Sequence, residues 1–164
     1  MDTSKINVNL SVVLYNTSDN DIKQLFDSLK YVNTTYKLIV VDNSPNDKLR
    51  ANFNKEYITY IHNPDNPGFG ASHNVALKIS IEDNVNYHFV INPDVYFTED
   101  VISTMIDFMS TDNSIGMMMP QILNLDGTIQ NLPKLLPSPY SVLLRKIKRP
   151  SIIYKKFIDN YELR

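Results

Sequence analysis

The sequence predicts an α/β fold, a largely parallel sheet with helices on both faces. Apolar, β-prone runs alternate with stretches of helical periodicity along most of the chain. The first run is too apolar for a half-exposed edge, as expected of a strand covered on both sides. Clusters of capping and turn-forming residues separate the runs.

Ile6 to Tyr15 reads as the first strand, with Val8, Leu10, Val12, Val13 and Leu14 apolar. Thr17-Ser18-Asp19-Asn20-Asp21 then supplies N-capping residues, and Ile22, Leu25, Phe26 and Leu29 recur at the spacing of one helical face. Tyr36 to Val41 is a second strand ending in Asp42-Asn43-Ser44-Pro45. A short helix over Asp47 to Phe53 leads to a third strand near Tyr57 to Ile61. His62-Asn63-Pro64-Asp65-Asn66-Pro67-Gly68-Phe69-Gly70 is a loop dense in turn formers. Ala71 to Ile81 is helical, Tyr87 to Ile91 is the fourth strand, and Thr98 is expected to cap a helix carrying Val101, Ile102, Met105, Ile106 and Met109 on one face. Ile115 to Met119 reads as a fifth strand, with Met105, Met109 and Met117-Met118-Met119 expected in the core. Asp126-Gly127 predicts a late two-residue antiparallel hairpin.

At 164 residues, 43% hydrophobic and 21% charged, the chain suits one domain with a short appendage. It has no cysteine, so disulfides and thiolate metal sites are excluded. The N-terminus lacks the pattern of a signal peptide, and no apolar run approaches the roughly 20 residues of a membrane span. The formal charge of −2 is unevenly spread. Residues 134–164 carry eight Lys/Arg against two acidic residues, a net +6, so the first 133 sum to −8. That balance argues against a nucleic-acid partner for the main body. Residues 1–133 read as the ligand-binding domain, and 134–164 as a basic, partly helical segment.

Parallel strands joined by helices bring their carboxyl ends to one rim, where ligands of open α/β sheets bind. Three polar strand ends should converge there. Asp42 can accept from a ribose hydroxyl or a pyrimidine N–H. Gly68 and Gly70 permit close backbone approach, and the helix that follows offers its positive end to phosphate. Asp94, in the Asn92-Pro93-Asp94 turn, can hold a divalent cation against phosphate oxygens, because Mg²⁺ usually takes only one or two protein carboxylates. The competing reading of each is a structural turn or cap. Other chemistries lack their marks: no glycine follows the first strand, which excludes a dinucleotide fingerprint, and Walker A, G-x-S-x-G and H-E-x-x-H are absent. No pair of the three histidines has metal-ligand spacing, and His62 and His88 read as structural.

Val12-Val13-Leu14-Tyr15-Asn16, Ile39-Val40-Val41-Asp42-Asn43-Ser44, Asn66-Pro67-Gly68-Phe69-Gly70-Ala71-Ser72-His73-Asn74 and Ile91-Asn92-Pro93-Asp94-Val95 resemble successive motifs of family 2 glycosyltransferases, which have the Rossmann-like GT-A fold. The likeness is closest to bacterial rhamnosyltransferase-like members, in which Asn-Pro-Asp stands for the commoner Asp-x-Asp. Pro120-Gln121-Ile122, Asp126-Gly127-Thr128-Ile129-Gln130 and Pro137-Ser138 continue it, so that it covers roughly residues 6 to 150.

The resemblance implies that Tyr15 and Asn16 line the nucleotide site, with Asp42 and Asn43 at the pyrimidine or ribose. It places Gly68, Gly70, His73 and Asn74 against the ribose or diphosphate. Asp94 would coordinate Mg²⁺ or Mn²⁺, with Asn92 shaping the turn. The implied reaction is metal-assisted, inverting transfer of a sugar, rhamnose first among the expectations, from a nucleotide-diphospho-sugar to a saccharide or lipid-linked acceptor in polysaccharide biosynthesis. The family's carboxylate base, from a later acidic motif, has no match here; Asp159 and Glu162 lack the expected context. The chain therefore reads as the N-terminal, donor-binding part of a longer cytoplasmic enzyme. The alternatives are a non-catalytic sugar-nucleotide-binding module and a nucleotidyltransferase. The last expects a glycine-rich basic loop after the first strand, which the chain lacks. Two readings of the tail stand. One is a basic amphipathic helix from Ser138-Pro139 resting on the anionic inner face of the cell membrane; the other is a solvated helix packing on downstream sequence.

Overall fold

A computed structural model describes residues 7–124 and 126–130, and beyond them only Lys146 and Tyr154. Four parallel strands, β1 (Val8–Leu14), β2 (Tyr36–Asp42), β3 (Ile58–His62) and β4 (Tyr87–Ile91), form a sheet in the order β3-β2-β1-β4. Leu14 pairs with Asp42 and Asp42 with His62, so the polar residues that end β2 and β3 lie side by side on one rim. The chain moves outward from β1 to β3 and then returns to place β4 on the other side of β1. Strand order reverses there, and α/β sheets open a crevice at such a point.

The helices are α1 (Asp19–Leu29), α2 (Phe69–Glu82) and α3 (Val101–Ser110). Ser18 starts α1, its hydroxyl accepting from Asp21 N–H at 3.1 Å. Ile22, Leu25 and Leu29 are buried as their spacing predicts, joined by Ile102 and Ile106 of α3 and Phe53 of the 3-10 turn Lys48–Phe53. These side chains meet Leu10, Val12, Leu14, Leu38 and Val40 on one face of the sheet. Burying each Leu or Ile contributes about 1.5–3 kcal/mol. On the opposite face, Val13, Ile39 and Val41 pack on Ala76 of α2.

Three expectations are corrected. The cap of α3 is Asp100, not Thr98: Asp100 Oδ1 accepts from Ser103 N–H and Oδ2 from Asn33 N–H, each at 3.0 Å. One carboxylate thus starts the helix and ties it to the loop before β2. No strand forms over Ile115 to Met119, and Met117, expected in the core, is 90% exposed. Of these five residues only Ile115 is β-branched and Gly116 disfavours a strand; the run finds no ladder partner among the described residues, and a lone strand is not stable. The hairpin forms, with Leu123 opposite Ile129, but is wider than predicted. Asn124 O accepts from Gly127 N–H and Asn124 N–H donates to Thr128 O, with Gly127 at φ 82°, the geometry of a turn closed by a glycine bulge.

The chain divides into two compact units, Met1–Met118 and Met119–Arg164. The helix expected from Ser138-Pro139 lies outside the described residues. Among these no helix is long and apolar enough to cross a membrane.

Candidate functional site

The end of β1 turns sharply at Asn16, whose positive φ of 48° is one that asparagine tolerates better than most residues. Asn16 N–H donates to Ser44 Oγ at 2.9 Å, joining the β1 end to the loop after β2. Tyr15 and Asn16 both stand exposed on the rim.

Asp42 closes β2 with no exposed surface. Its Oδ1 accepts from Ser44 N–H at 2.9 Å and its Oδ2 from the Tyr60 hydroxyl. Burial, and then the bond to Asp42, raise the Tyr60 pKa well above the usual phenol range. Phe53 stacks on the Tyr60 ring at 5.6 Å, and the Arg50 guanidinium lies 4.8 Å from the ring centroid. The carboxylate expected to face a base or ribose is therefore turned inward and shapes the rim from below.

Asn43 is also buried, and one serine satisfies its amide. Asn43 Nδ2 donates to Ser72 Oγ at 2.8 Å, and the Ser72 hydroxyl donates back to Oδ1 at 2.9 Å. Asn43, expected as a ligand contact, clamps the β2 loop to α2 through these two bonds. His62, read as structural, places Nε2 2.9 Å from Ser44 O and braces the same loop.

Gly68 precedes α2 at φ 95°, ψ 166°, a conformation essentially reserved for glycine. No side chain caps the helix there, so its first amides keep their hydrogen-bonding capacity. Gly70 lies within the first turn, and a Cβ built on it would meet nothing within 4 Å. Asn74 is exposed one turn further on, on the stripe that carries Gly70. Asn92 and Asp94 are exposed at the end of β4, in a turn closed by Val95 N–H on Asn92 O at 3.3 Å.

His73 is not on the open rim. It is 4% exposed, with Nδ1 2.9 Å from Ser11 Oγ in the middle of β1. Ser11 Oγ also lies 2.8 Å from His88 Nε2, and His88 Nδ1 lies 2.7 Å from Ser80 Oγ. Asn9 Nδ2 donates to Ser80 Oγ at 3.0 Å and to Asp83 Oδ2 at 3.1 Å, and Asp83 pairs with Lys37. A polar seam therefore runs beneath α2. Burial lowers the pKa of both histidines, that of His88 to about 4 with repulsion from His73 adding to the effect, so both are neutral at pH 7.

The rim thus gathers Tyr15, Asn16, Asn92 and Asp94 at the ends of the adjacent strands β1 and β4, with the uncapped start of α2 following β3. Asp42, Asn43 and His73 are drawn underneath. Sequence reasoning missed Ser44, Tyr60, Ser72 and the Ser11–His88–Ser80 seam. The seam left one trace: Asn9 and Ser11 alternate within an otherwise apolar run, placing two polar groups on the same face of β1.

The sequence profile of glycosyl transferase family 2 matches residues 10–159. Among solved structures, the crystal structure of S. aureus TarS superposes with a TM-score of 0.52 at 21% identity, over 71% of this chain and 24% of that one. That likeness is one of fold, and the chain spans about a quarter of TarS. No curated protein matches the chain. The parallel sheet with helices on both faces is the GT-A fold the motifs implied. With the profile covering nearly its whole length, the chain belongs to glycosyl transferase family 2.

Proposed function

We propose that this chain binds the nucleotide-diphospho-sugar donor of an inverting glycosyltransferase, with dTDP-rhamnose the leading donor. The observation that carries the reading is the rim itself. An uncapped helix start, a glycine turn open to close approach and an exposed carboxylate lie at the carboxyl ends of parallel strands around the reversal of strand order. Tyr15 and Asn16 would flank the nucleoside, and Gly68, Gly70 and Asn74 would receive the diphosphate. Asp42 supports the nucleoside side of the rim by holding the Asn43-Ser44 turn, and reaches a base only when Tyr60 releases it.

Asp94 is the proposed ligand of Mg²⁺ or Mn²⁺. No cluster of three His, Cys, Asp or Glu exists among the described residues, which does not suit a protein-made metal cage. One exposed carboxylate does suit a cation that takes its other ligands from diphosphate and water. When bound, the metal offsets charge on the departing nucleoside diphosphate. We assign no catalytic base; Asp159 and Glu162 lie outside the described residues. The acceptor is proposed to be a saccharide or a lipid-linked precursor. For the latter, the basic 134–164 segment would add contact with an anionic membrane; salt-sensitive cosedimentation with anionic but not neutral vesicles would support it.

Calorimetric titration with dTDP-rhamnose, dTDP, UDP and UDP-glucose, with and without Mn²⁺, tests the reading. Metal-dependent binding is expected, and Asp94→Ala should weaken it at least tenfold while leaving the fold intact. Binding indifferent to both metal and Asp94 would overturn the metal assignment, and no binding to any nucleotide would overturn the donor site.

A further inference from the structure

The seam beneath α2 has a direction. Ser80 and Ser11 each own one hydroxyl proton, and each neutral imidazole owns one N–H. Ser11 Oγ also has Phe89 O within reach at 3.3 Å, but the two imidazole nitrogens are nearer, at 2.9 and 2.8 Å, and with the Ser11 proton on one of them the other assignments follow. In one arrangement Ser80 donates to Ala76 O at 3.1 Å, His88 Nδ1–H donates to Ser80, Ser11 donates to His88 Nε2, and His73 Nδ1–H donates to Ser11. His73 Nε2 is then a bare lone pair. In the other, Ser80 donates to His88 Nδ1, His88 Nε2–H to Ser11, and Ser11 to His73 Nδ1. His73 Nε2 then carries a proton. The same protons serve both arrangements.

His73 Nε2 is buried and has no hydrogen-bond partner among the described residues. An orphaned buried N–H is rarer in proteins than an under-used acceptor, so the first arrangement is the resting one. Nδ1 faces Ser11 and the sheet, so Nε2, on the other edge of the ring, faces away from them. The imidazole lies against Phe69, the first residue of α2, with 4.3 Å between ring centroids. Phe69 is itself 53% exposed. The ring that carries the orphan nitrogen thus packs against the first residue of a 14-residue helix whose start no side chain caps.

We propose that His73 is a phosphate-binding residue whose proton is placed by the Ser80–His88–Ser11 chain. When a diphosphate seats on the start of α2, the Phe69 ring swings aside. The chain adopts its second arrangement, and His73 Nε2–H donates to a phosphate oxygen. Phosphate oxygens at neutral pH mainly accept, so only that arrangement serves. Ser11 and His88 touch no ligand; they are positioning residues that select the tautomer. The inference rests on the donor-site reading and adds to it a buried contact with its own signature.

The test is long-range ¹H–¹⁵N NMR of the ¹⁵N-histidine-labelled chain, titrated with pyrophosphate and with UDP in Mg²⁺. Saturation is expected to move both His73 and His88 from the Nδ1–H to the Nε2–H pattern in step. In Ser11→Ala, its fold checked by the backbone amide spectrum, His88 should no longer follow. His73→Phe should weaken UDP binding about tenfold, the loss expected of one hydrogen bond to a charged group. UDP binding that leaves His73 in its resting tautomer overturns the inference while the donor site stands. His88 following His73 without Ser11 overturns the chain. Absence of binding by both ligands overturns the inference and the donor site together.

Discussion

Gly70 packs against nothing, since a Cβ there meets open space, while Gly68 holds a backbone conformation other residues resist. The two glycines should therefore fail differently. Gly70→Ala is expected to keep or raise stability by about 0.5–1 kcal/mol in urea melts, since alanine favours helix, yet to weaken UDP binding several-fold. Gly68→Ala should cost about 1–2 kcal/mol of stability before any ligand is added. His88 makes a further prediction at this scale. Its pKa is depressed to about 4 in the folded chain against 6.5 unfolded, so between those values the unfolded chain binds the extra proton. Stability is then fully present above pH 6.5, falls as the pH drops towards 4, and flattens below. The loss is on the order of 3 kcal/mol. Urea melts at pH 7, 5.5 and 4 should show that slope, and His88→Gln should flatten it. The site was only partly legible at this scale. Gly70 and Asp94 are exposed in their turns, whereas Asp42 and Asn43, expected at the pyrimidine or ribose, have buried side chains. A strand end fixes where a side chain starts, whereas Tyr60 and Ser72, distant in sequence, decide where it turns.

Among the elements, α2 matters most, because both its start and its underside serve the rim. It is held by apolar contacts at Ala76, by the Asn43–Ser72 clamp and by the seam. Asn43→Ala leaves a buried serine without its partner and should destabilise the chain by about 1–3 kcal/mol. A cycle with Ser72→Ala should show a coupling of at least about 0.5 kcal/mol, and hydrogen exchange at Phe69 to Ser72 should quicken in the single variant. Additive losses would mean the two side chains act independently. Strands and helices were legible because hydrophobic period reports burial directly, as with Ile22, Leu25 and Leu29 on α1. The errors came where a long-range partner decided the outcome. Asp100, not Thr98, starts α3 because its carboxylate also reaches Asn33. Ile115 to Met119 is apolar but holds a glycine and only one β-branched residue, and it has no neighbouring ladder among the described residues.

For the molecule as a whole, the sheet stands on its own core, and under the proposed function metal enters only with the donor. Chelation should accordingly leave the Tm of the free chain unchanged, while the rise produced by UDP with Mn²⁺ should vanish on adding EDTA. A Tm that falls on chelation without nucleotide would place a structural metal in the fold instead. The α/β architecture was readable from alternation alone, since β1 and β2 are apolar enough to demand cover on both faces.

The seam has a consequence for how the chain finds this fold. Asn9 and Ser11 make the two faces of β1 chemically unlike, one carrying Leu10 and Val12 against α1 and the other carrying hydroxyl and amide groups against α2. A misassembled sheet with β1 inverted, or slipped by one residue, would press those groups into hydrocarbon and strand two imidazoles without partners. Each such loss costs about 1–3 kcal/mol. Two small polar residues in the central strand thus penalise wrong assemblies more than they strengthen the right one, and steer the nascent chain away from a mirror-image docking of its helices.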